Sequence, residues 1–278
     1  MASKSLNKTR SNKIDPMSHL EEYQKYDTQE LLKVLYQYFE KPKNATVLDV
    51  GCRAEVVKYM ARHVKKIVGI NIDENSLATD SCPPNARLQI MDGIQTTFAD
   101  GTFDFVYSSN LYEHVGNLSK CIDEQLRVLK KKGYCYARWE PIWSGPRGHH
   151  IHDDMVRLWE EFCQVESSIY TNNGKFIPDW SHLLLSKAKM IQSLSVKLKS
   201  RELVEIIGRY IYESDNLNRL FFDEIEKIFS RKNIRIIFWK KKTADIPSEV
   251  LRKLKNKYSY RDFCSINSEV LFTHKTSK

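Results

Sequence analysis

A chain of 278 residues is long enough for two small domains or for one large α/β domain carrying an insertion. Hydrophobic residues make up 41% and charged residues 28%, which excludes wholesale disorder and a coiled coil. The formal charge of +9, from 44 Lys and Arg against 35 Asp and Glu, fits an anionic partner or a lysine-rich wet surface, and alone it selects neither.

The opening MASKSLNKTRSNKIDP carries Lys4, Lys8, Arg10 and Lys13 and has no apolar core, so residues 1–17 are expected to be a basic flexible tail and not a signal peptide. From Ser18 to Glu40, Leu20, Tyr23, Leu31, Leu32, Leu35, Tyr36 and Phe39 recur at helical spacing, which predicts an amphipathic helix or helix pair. The period then changes. TVLDV (46–50), KIVGI (66–70), RLQI (87–90), FDFVYSS (103–109) and GYCYARW (133–139) have strand length and composition and are bounded by Gly, Asp or Asn. Between them, Val56, Met60 and Val64 mark one helix, and Leu118, Ile122 and Leu126, extended by Leu129, mark another. Strand and helix alternating over about 100 residues predict a parallel sheet covered on both faces, with ligands at the carboxyl ends of its strands. From Pro141 to Asn218 no strand pattern appears. Helical patterns at 156–162, 183–191 and 203–212 predict a helical insertion. A helix at 220–228, a strand at 234–240, a helix at 248–258 and a strand at 269–275 close the chain. The expected organisation is therefore tail (1–17), helices and sheet (18–140), helical cap (141–217) and completion of the sheet (218–278). No run approaches the roughly 18 apolar residues of a membrane span. Cys52, Cys82, Cys121, Cys135, Cys163 and Cys264 form no C-x-x-C pair. A cytoplasmic protein with reduced, mostly structural thiols is expected.

The strongest signal is a series in fixed order: VLDVGC (47–52), IVGINID (67–73), MDG (91–93), then FDFVYSSNLYEHV followed by QLRVLKKKG. A glycine after a buried strand lets backbone approach a ligand at a helix N-terminus, and polar residues ending the next strands can hold ribose hydroxyls and a purine edge. The dinucleotide pattern G-x-G-x-x-G with an acid about 20 residues on is missing. Residues 45–140 resemble the class I S-adenosylmethionine-dependent methyltransferases, in the small-molecule, type 11-like branch. The resemblance implies a Rossmann-like, seven-stranded, mostly parallel sheet flanked by helices, with the last strand antiparallel and S-adenosyl-L-methionine as cofactor across its carboxyl edge. It places Asp49 and Gly51 near the cofactor's methionine part, Asn71 and Ile72 at the ribose and adenine face, Asp92 with Gly93 at the adenine, and Ser109 at the end of the fourth strand. Two positions depart from the family's pattern. Arg53-Ala54-Glu55 stands where Gly-x-Gly is usual, and Asn71 where an acid usually meets the ribose. Arg53 can instead pair with the cofactor's carboxylate.

Methyl transfer from a sulfonium needs an aligned acceptor, a dry site and, for a hydroxyl, a base. The segment WEPIWSGPRGHHIHDD (139–154) offers His149 and His150 beside His152, Asp153 and Asp154, and His114 follows the fourth strand. For the loop histidines three readings stand: a general base for O-methylation, a divalent-ion site whose spacing matches no known ligand pattern, or a loop of surface histidines before helix-starting acids. His114 is a candidate contact to cofactor or acceptor, and equally a packing residue. The expected reaction is methylation of an oxygen on a small polar acceptor such as a sugar, a nucleotide-linked sugar or a surface-glycan precursor. The basic charge suits a phosphorylated acceptor, and a homodimer is compatible with the sequence. The alternatives are a degenerate fold serving as a scaffold or regulatory subunit, and an RNA methyltransferase. SSNLYEH is not the NPPY type used on exocyclic amines, so nucleic acid is the less favoured partner.

Overall fold

The structure, a computed structural model of the chain, describes residues 17, 20–151, 177–198, 200–259 and 261–275. The basic tail through residue 16, the helix expected at 156–162, Cys163, and His152, Asp153 and Asp154 lie outside the described residues.

Seven strands form one sheet: β1 (Thr46–Val50), β2 (Lys66–Asn71), β3 (Ala86–Ile90), β4 (Phe103–Ser109), β5 (Leu129–Trp139), β6 (Ile234–Thr243) and β7 (Ser265–His274). Their order is β3-β2-β1-β4-β5-β7-β6, with β7 antiparallel to both its neighbours and the other pairings parallel. Strand order therefore reverses between β1 and β4, the topological switch point at which open α/β sheets bind ligands.

The sheet is apolar on both faces because both are covered. On one side Leu48, Val106, Cys135 and Phe272 pack under Leu118, Cys121 and Ile122 of α4 (Leu118–Val128) and Phe222, Ile225 and Phe229 of α8 (Phe222–Ser230). On the other, Val47, Ile67, Phe105 and Leu271 pack under Leu31 and Leu35 of α1 (Glu22–Tyr38) and Val57 and Met60 of α2 (Ala54–Met60). Each fully buried aliphatic or aromatic side chain of this kind stabilises by about 1.5–3 kcal/mol, which is why these strands read as continuous apolar runs. The edge strand β6 is different: Lys240, Lys241 and Lys242 lie exposed along it, a charge pattern that blunts edge-to-edge pairing.

One expected element differs. Leu129 does not extend the face of α4; the helix stops at Val128 and Leu129 opens β5, pairing with Phe103. At Gly133 a Cβ would meet the Asp104 carbonyl oxygen at 2.7 Å, so this glycine lets β5 approach β4 where regular pairing resumes at Tyr134 after a register shift.

Between β5 and β6 the described residues form helices only. α5 (Ser181–Leu184), α6 (Lys187–Ser195) and α7 (Arg201–Glu213) precede α8, and the second and third pack on each other through Met190, Leu194, Leu203, Val204 and Ile207. The short α3 (Glu74–Leu77) and α9 (Ser248–Lys257) complete the described helices. None of them is long and apolar enough to cross a membrane.

Candidate functional site

The site begins where β1 ends. Gly51 has φ +79°, a left-handed conformation, and a Cβ there would stand 2.9 Å from Leu111 Cδ1. The amides of Gly51 and Cys52 both donate to the Ile70 carbonyl, at 2.9 and 3.0 Å, so the chain turns across the exit of β2 before α2 begins. The turn borders a cavity of about 600 Å³ along the carboxyl ends of β1, β2, β4 and β5. Asp49, Gly51, Arg53, Asn71, Ile72, Asp92, Gly93 and Ser109 all line it, as does His114.

Asp49 is 3% exposed, and the Tyr107 hydroxyl donates to its Oδ2 at 2.6 Å. Burial pushes the carboxyl up to about 7, against a smaller lowering by the Tyr107 hydrogen bond. An unfolded carboxyl titrates near ~3.9. Between those two values the folded chain holds a proton that the unfolded chain has released. Stability from this group therefore falls as pH rises from about 4 to about 7, by at most about 1.4 kcal/mol per pH unit, and levels off above that. Asp49→Asn keeps an acceptor for Tyr107 and removes the titration. Urea unfolding is expected to show the variant gaining on the parent steadily between pH 5 and pH 7; a gap that does not change with pH would contradict a neutral Asp49.

Asn71 is committed on both sides of its amide: Nδ2 donates to the Cys52 carbonyl at 2.8 Å, and Oδ1 accepts the Asp73 amide at 3.0 Å. It ties the glycine turn to the loop after β2, which leaves one N–H and one lone pair for a ligand. Asp73 in turn caps α3 through the amides of Asn75 and Ser76. Ile72 is 73% exposed and, with Met91 and Ile94, forms an apolar part of the wall. Gly93 packs so closely that a Cβ would stand 2.6 Å from Val50 Cγ1, and Asp92 accepts the Ile94 amide at 3.0 Å. Arg53 is exposed at the start of α2, while Glu55 pairs with Lys58 at 2.9 Å and does not line the cavity.

The other half of the cavity is built by α1, which the sequence pattern did not connect to the site. Gln24, Asp27, Thr28 and Leu31 line it. Their spacing of three and four residues is the only local signal, a polar interruption of the helix face that ends in Leu31. Asp27 forms an ion pair with Arg138 at the end of β5 and accepts hydrogen bonds from Ser109 Oγ and Asn110 Nδ2, both at 2.8 Å. Arg138 is 7% exposed, lies 3.3 Å from Glu140, and covers the Tyr26 ring at 4.9 Å. Burial raises the Asp27 carboxyl despite that guanidinium and the two hydrogen bonds. The buried Oγ1 of Thr28 and Oδ1 of Asn110 have no hydrogen-bond partner within the protein.

His114 completes this wall. Its Nδ1 lies 2.6 Å from the Asn216 carbonyl, which can only accept, so Nδ1 carries the proton and Nε2 presents its lone pair. Burial lowers its pKa, partly offset by that carbonyl, so the ring is neutral near pH 7. Behind it Glu113 is buried with its Oε1 3.9 Å from Nε2, and burial raises that carboxyl well above the usual range.

His149 and His150, expected to face the acceptor, do not line the cavity. They are 3% and 5% exposed, which also differs from a loop of surface histidines. The loop folds back tightly: a Cβ on Gly145 would stand 2.3 Å from the Ser265 carbonyl oxygen, and one on Gly148 2.1 Å from that of Trp143. The His149 ring packs on His182 at 5.5 Å and its Nδ1 accepts the Ile151 amide. His150 packs against His114 from behind, with ring centroids 5.2 Å apart. Among the described residues no group of three or more His, Cys, Asp or Glu side chains could hold a metal ion.

Comparison with known proteins agrees with this arrangement. Residues 48–137 match the family model described as a methyltransferase domain. An uncharacterized methyltransferase of a Mycobacterium species is 32% identical over 111 residues, which is 39% of this chain and 44% of that protein. The 2-methyl-6-phytyl-1,4-hydroquinone methyltransferase of a Synechocystis species is 32% identical over 101 residues, 33% of this chain and 31% of its own. The chain thus spans less than half the length of these curated relatives. A Listeria monocytogenes structure, of a protein assigned as an S-adenosylmethionine dependent methyltransferase, superposes with a TM-score of 0.50 at 12% identity over 88% of this chain and 97% of its own, a likeness of fold. Residues 48–137, then, are similar to a methyltransferase domain, carried on a fold shared with a structure assigned to the S-adenosylmethionine-dependent methyltransferases.

Proposed function

We propose that the protein transfers a methyl group from S-adenosylmethionine to a hydroxyl of a small polar acceptor, with His114 as the general base. The observation that carries this reading is the His114 ring on the cavity wall, its tautomer fixed by the Asn216 carbonyl so that Nε2 is the unprotonated nitrogen.

The residues present fit the cofactor. A cavity of about 600 Å³ is in the usual range for a small-molecule site. Ile72, Met91 and Ile94 offer apolar surface for a purine, and Asn71 with Asp92 offers polar edges beside it. The exposed Arg53 can meet the cofactor's carboxylate. When bound, the cofactor supplies an electrophilic methyl on a sulfonium. The protein's part is to hold the acceptor oxygen in line, exclude water and take the hydroxyl proton on His114 Nε2 as the new C–O bond forms.

Calorimetry with S-adenosylhomocysteine tests the cofactor half. Binding is expected, with Arg53→Ala about tenfold weaker because a charge-assisted bond is lost from a solvent-exposed position. Mass spectrometry of candidate sugars after incubation with S-adenosylmethionine tests the transfer. No binding at millimolar ligand would end the enzymatic reading and leave the scaffold.

A further inference from the structure

We propose that the acceptor end of the cavity takes a hydroxyl-rich molecule without phosphate or carboxylate, a free sugar or polyol, and turns away its phosphorylated and nucleotide-linked forms. The proposal rests on the methyl-transfer reading of the cavity and names the substrate class of that site.

The first support is charge. The net +9 of the chain invites an anionic acceptor, yet the wall built by α1, the ends of β4 and β5 and the turn after α7 carries Asp27 and Asp215 against a single guanidinium, Arg138, among the described residues. That guanidinium is already engaged by Asp27 on one side and by Glu140 at 3.3 Å on the other, with its face on Tyr26. A phosphate could recruit it only by displacing Asp27, which would leave a buried carboxylate beside an incoming anion. The other cation on the cavity, Arg53, belongs to the turn after β1, at the end read as the cofactor's.

The second support, independent of charge, is the polarity of the atoms still available. Asn110 turns its Nδ2 toward Asp27 and gives that carboxylate one of its two hydrogens. Ser109 spends its hydroxyl proton on the same carboxylate. His114 presents a lone pair at Nε2 because its Nδ1 proton is held by Asn216. A wall of acceptors is satisfied by a ligand that brings O–H donors. A phosphate or carboxylate brings only further acceptors, and each wall atom it buried unpaired would count against it.

The test has three arms on the full chain. Binding of S-adenosylhomocysteine alone reports on the cofactor reading, so its failure is distinct from failure of this proposal. In the second arm, free hexoses, alditols and methyl glycosides are compared with the matching sugar phosphates and nucleoside diphosphate sugars, by release of S-adenosylhomocysteine. The unphosphorylated member of a pair is expected to react at least tenfold faster; a preference for the phosphorylated member would overturn the proposal. In the third arm the protein saturated with S-adenosylhomocysteine is titrated with inorganic pyrophosphate, which needs no knowledge of the acceptor. No binding at millimolar pyrophosphate is expected, with measurable binding appearing in Asp215→Lys. Millimolar or tighter binding to the unmodified protein, lost in Arg138→Gln, would overturn the proposal even if no sugar in the panel reacted.

Discussion

His114→Gln is expected to lower kcat by about 100-fold to 10,000-fold, the usual contribution of a positioned base, while S-adenosylhomocysteine affinity changes by less than about threefold. Glutamine keeps a polar side chain of similar reach but has no site that takes up a proton near neutrality. The pH profile distinguishes a base from a packing residue. Burial holds the imidazole below its ordinary pKa, so kcat in the parent should rise as pH increases through that depressed value and be flat by neutrality. The rising limb should vanish in the variant. A variant that turns over as fast as the parent would remove His114 from the chemistry. His149→Ala and His150→Ala form the contrast: both rings are buried away from the cavity, so each should cost stability first, read as a lower unfolding midpoint, with kcat in the surviving folded protein within about tenfold of the parent. The outcome separates the base on the GHH loop that the sequence offered from the base after the fourth strand that is proposed here.

The sequence was most informative where the residues of the site are close together along the chain. β1 and β4 coincide with TVLDV and FDFVYSS to the residue, because strands buried on both faces leave short, mostly apolar runs, here followed by Gly51 and Asn110. The eight residues expected at the cofactor come from the ends of β1, β2, β3 and β4, and all of them reach one cavity. The α1 wall of the cavity was hidden for the opposite reason. Asp27 meets Ser109, Asn110 and Arg138 across 82 to 111 residues of chain, and nothing in the local spacing of α1 announces a partner that far away. The histidines of the GHH loop misled because polar residues after a strand usually face its open edge. Here the close contacts of Gly145 and Gly148 turn the loop inward, and such contacts depend on backbone that only the finished fold brings near. The excess of Lys and Arg is spread over surfaces such as β6 and α9, while the described cavity wall at α1 and the turn after α7 carries Asp27 and Asp215.

Gly51→Val is expected to reduce S-adenosylhomocysteine affinity by more than 100-fold and to destabilise the fold by about 2–5 kcal/mol. Two independent costs make up the second figure. A residue with a Cβ in the left-handed region costs about 1–2 kcal/mol, and a β-branched one is a genuine outlier there. Forcing added methyls into filled space costs about 1–3 kcal/mol more. The space is filled because a Cβ at 51 would stand 2.9 Å from Leu111 Cδ1 and 3.3 Å from Leu111 Cβ. Leu111 follows β4, so moving it aside would disturb both the turn that carries His114 and the junction where Asn110 donates its amide to the Arg138 carbonyl at 2.8 Å. Relief in the other direction is blocked as well, since the amides of Gly51 and Cys52 are both fastened to Ile70. The added branches would therefore enter the cavity where the cofactor's methionine part is expected. Gly51→Ala separates the two effects. It carries the backbone strain and the Cβ contact with Leu111 without the branches, and should lose less stability than Gly51→Val, with a smaller loss of affinity. Calorimetry and urea unfolding on both variants give the comparison. If Gly51→Val remained folded and bound S-adenosylhomocysteine as tightly as the parent, the ligand would have to lie elsewhere than beside this turn.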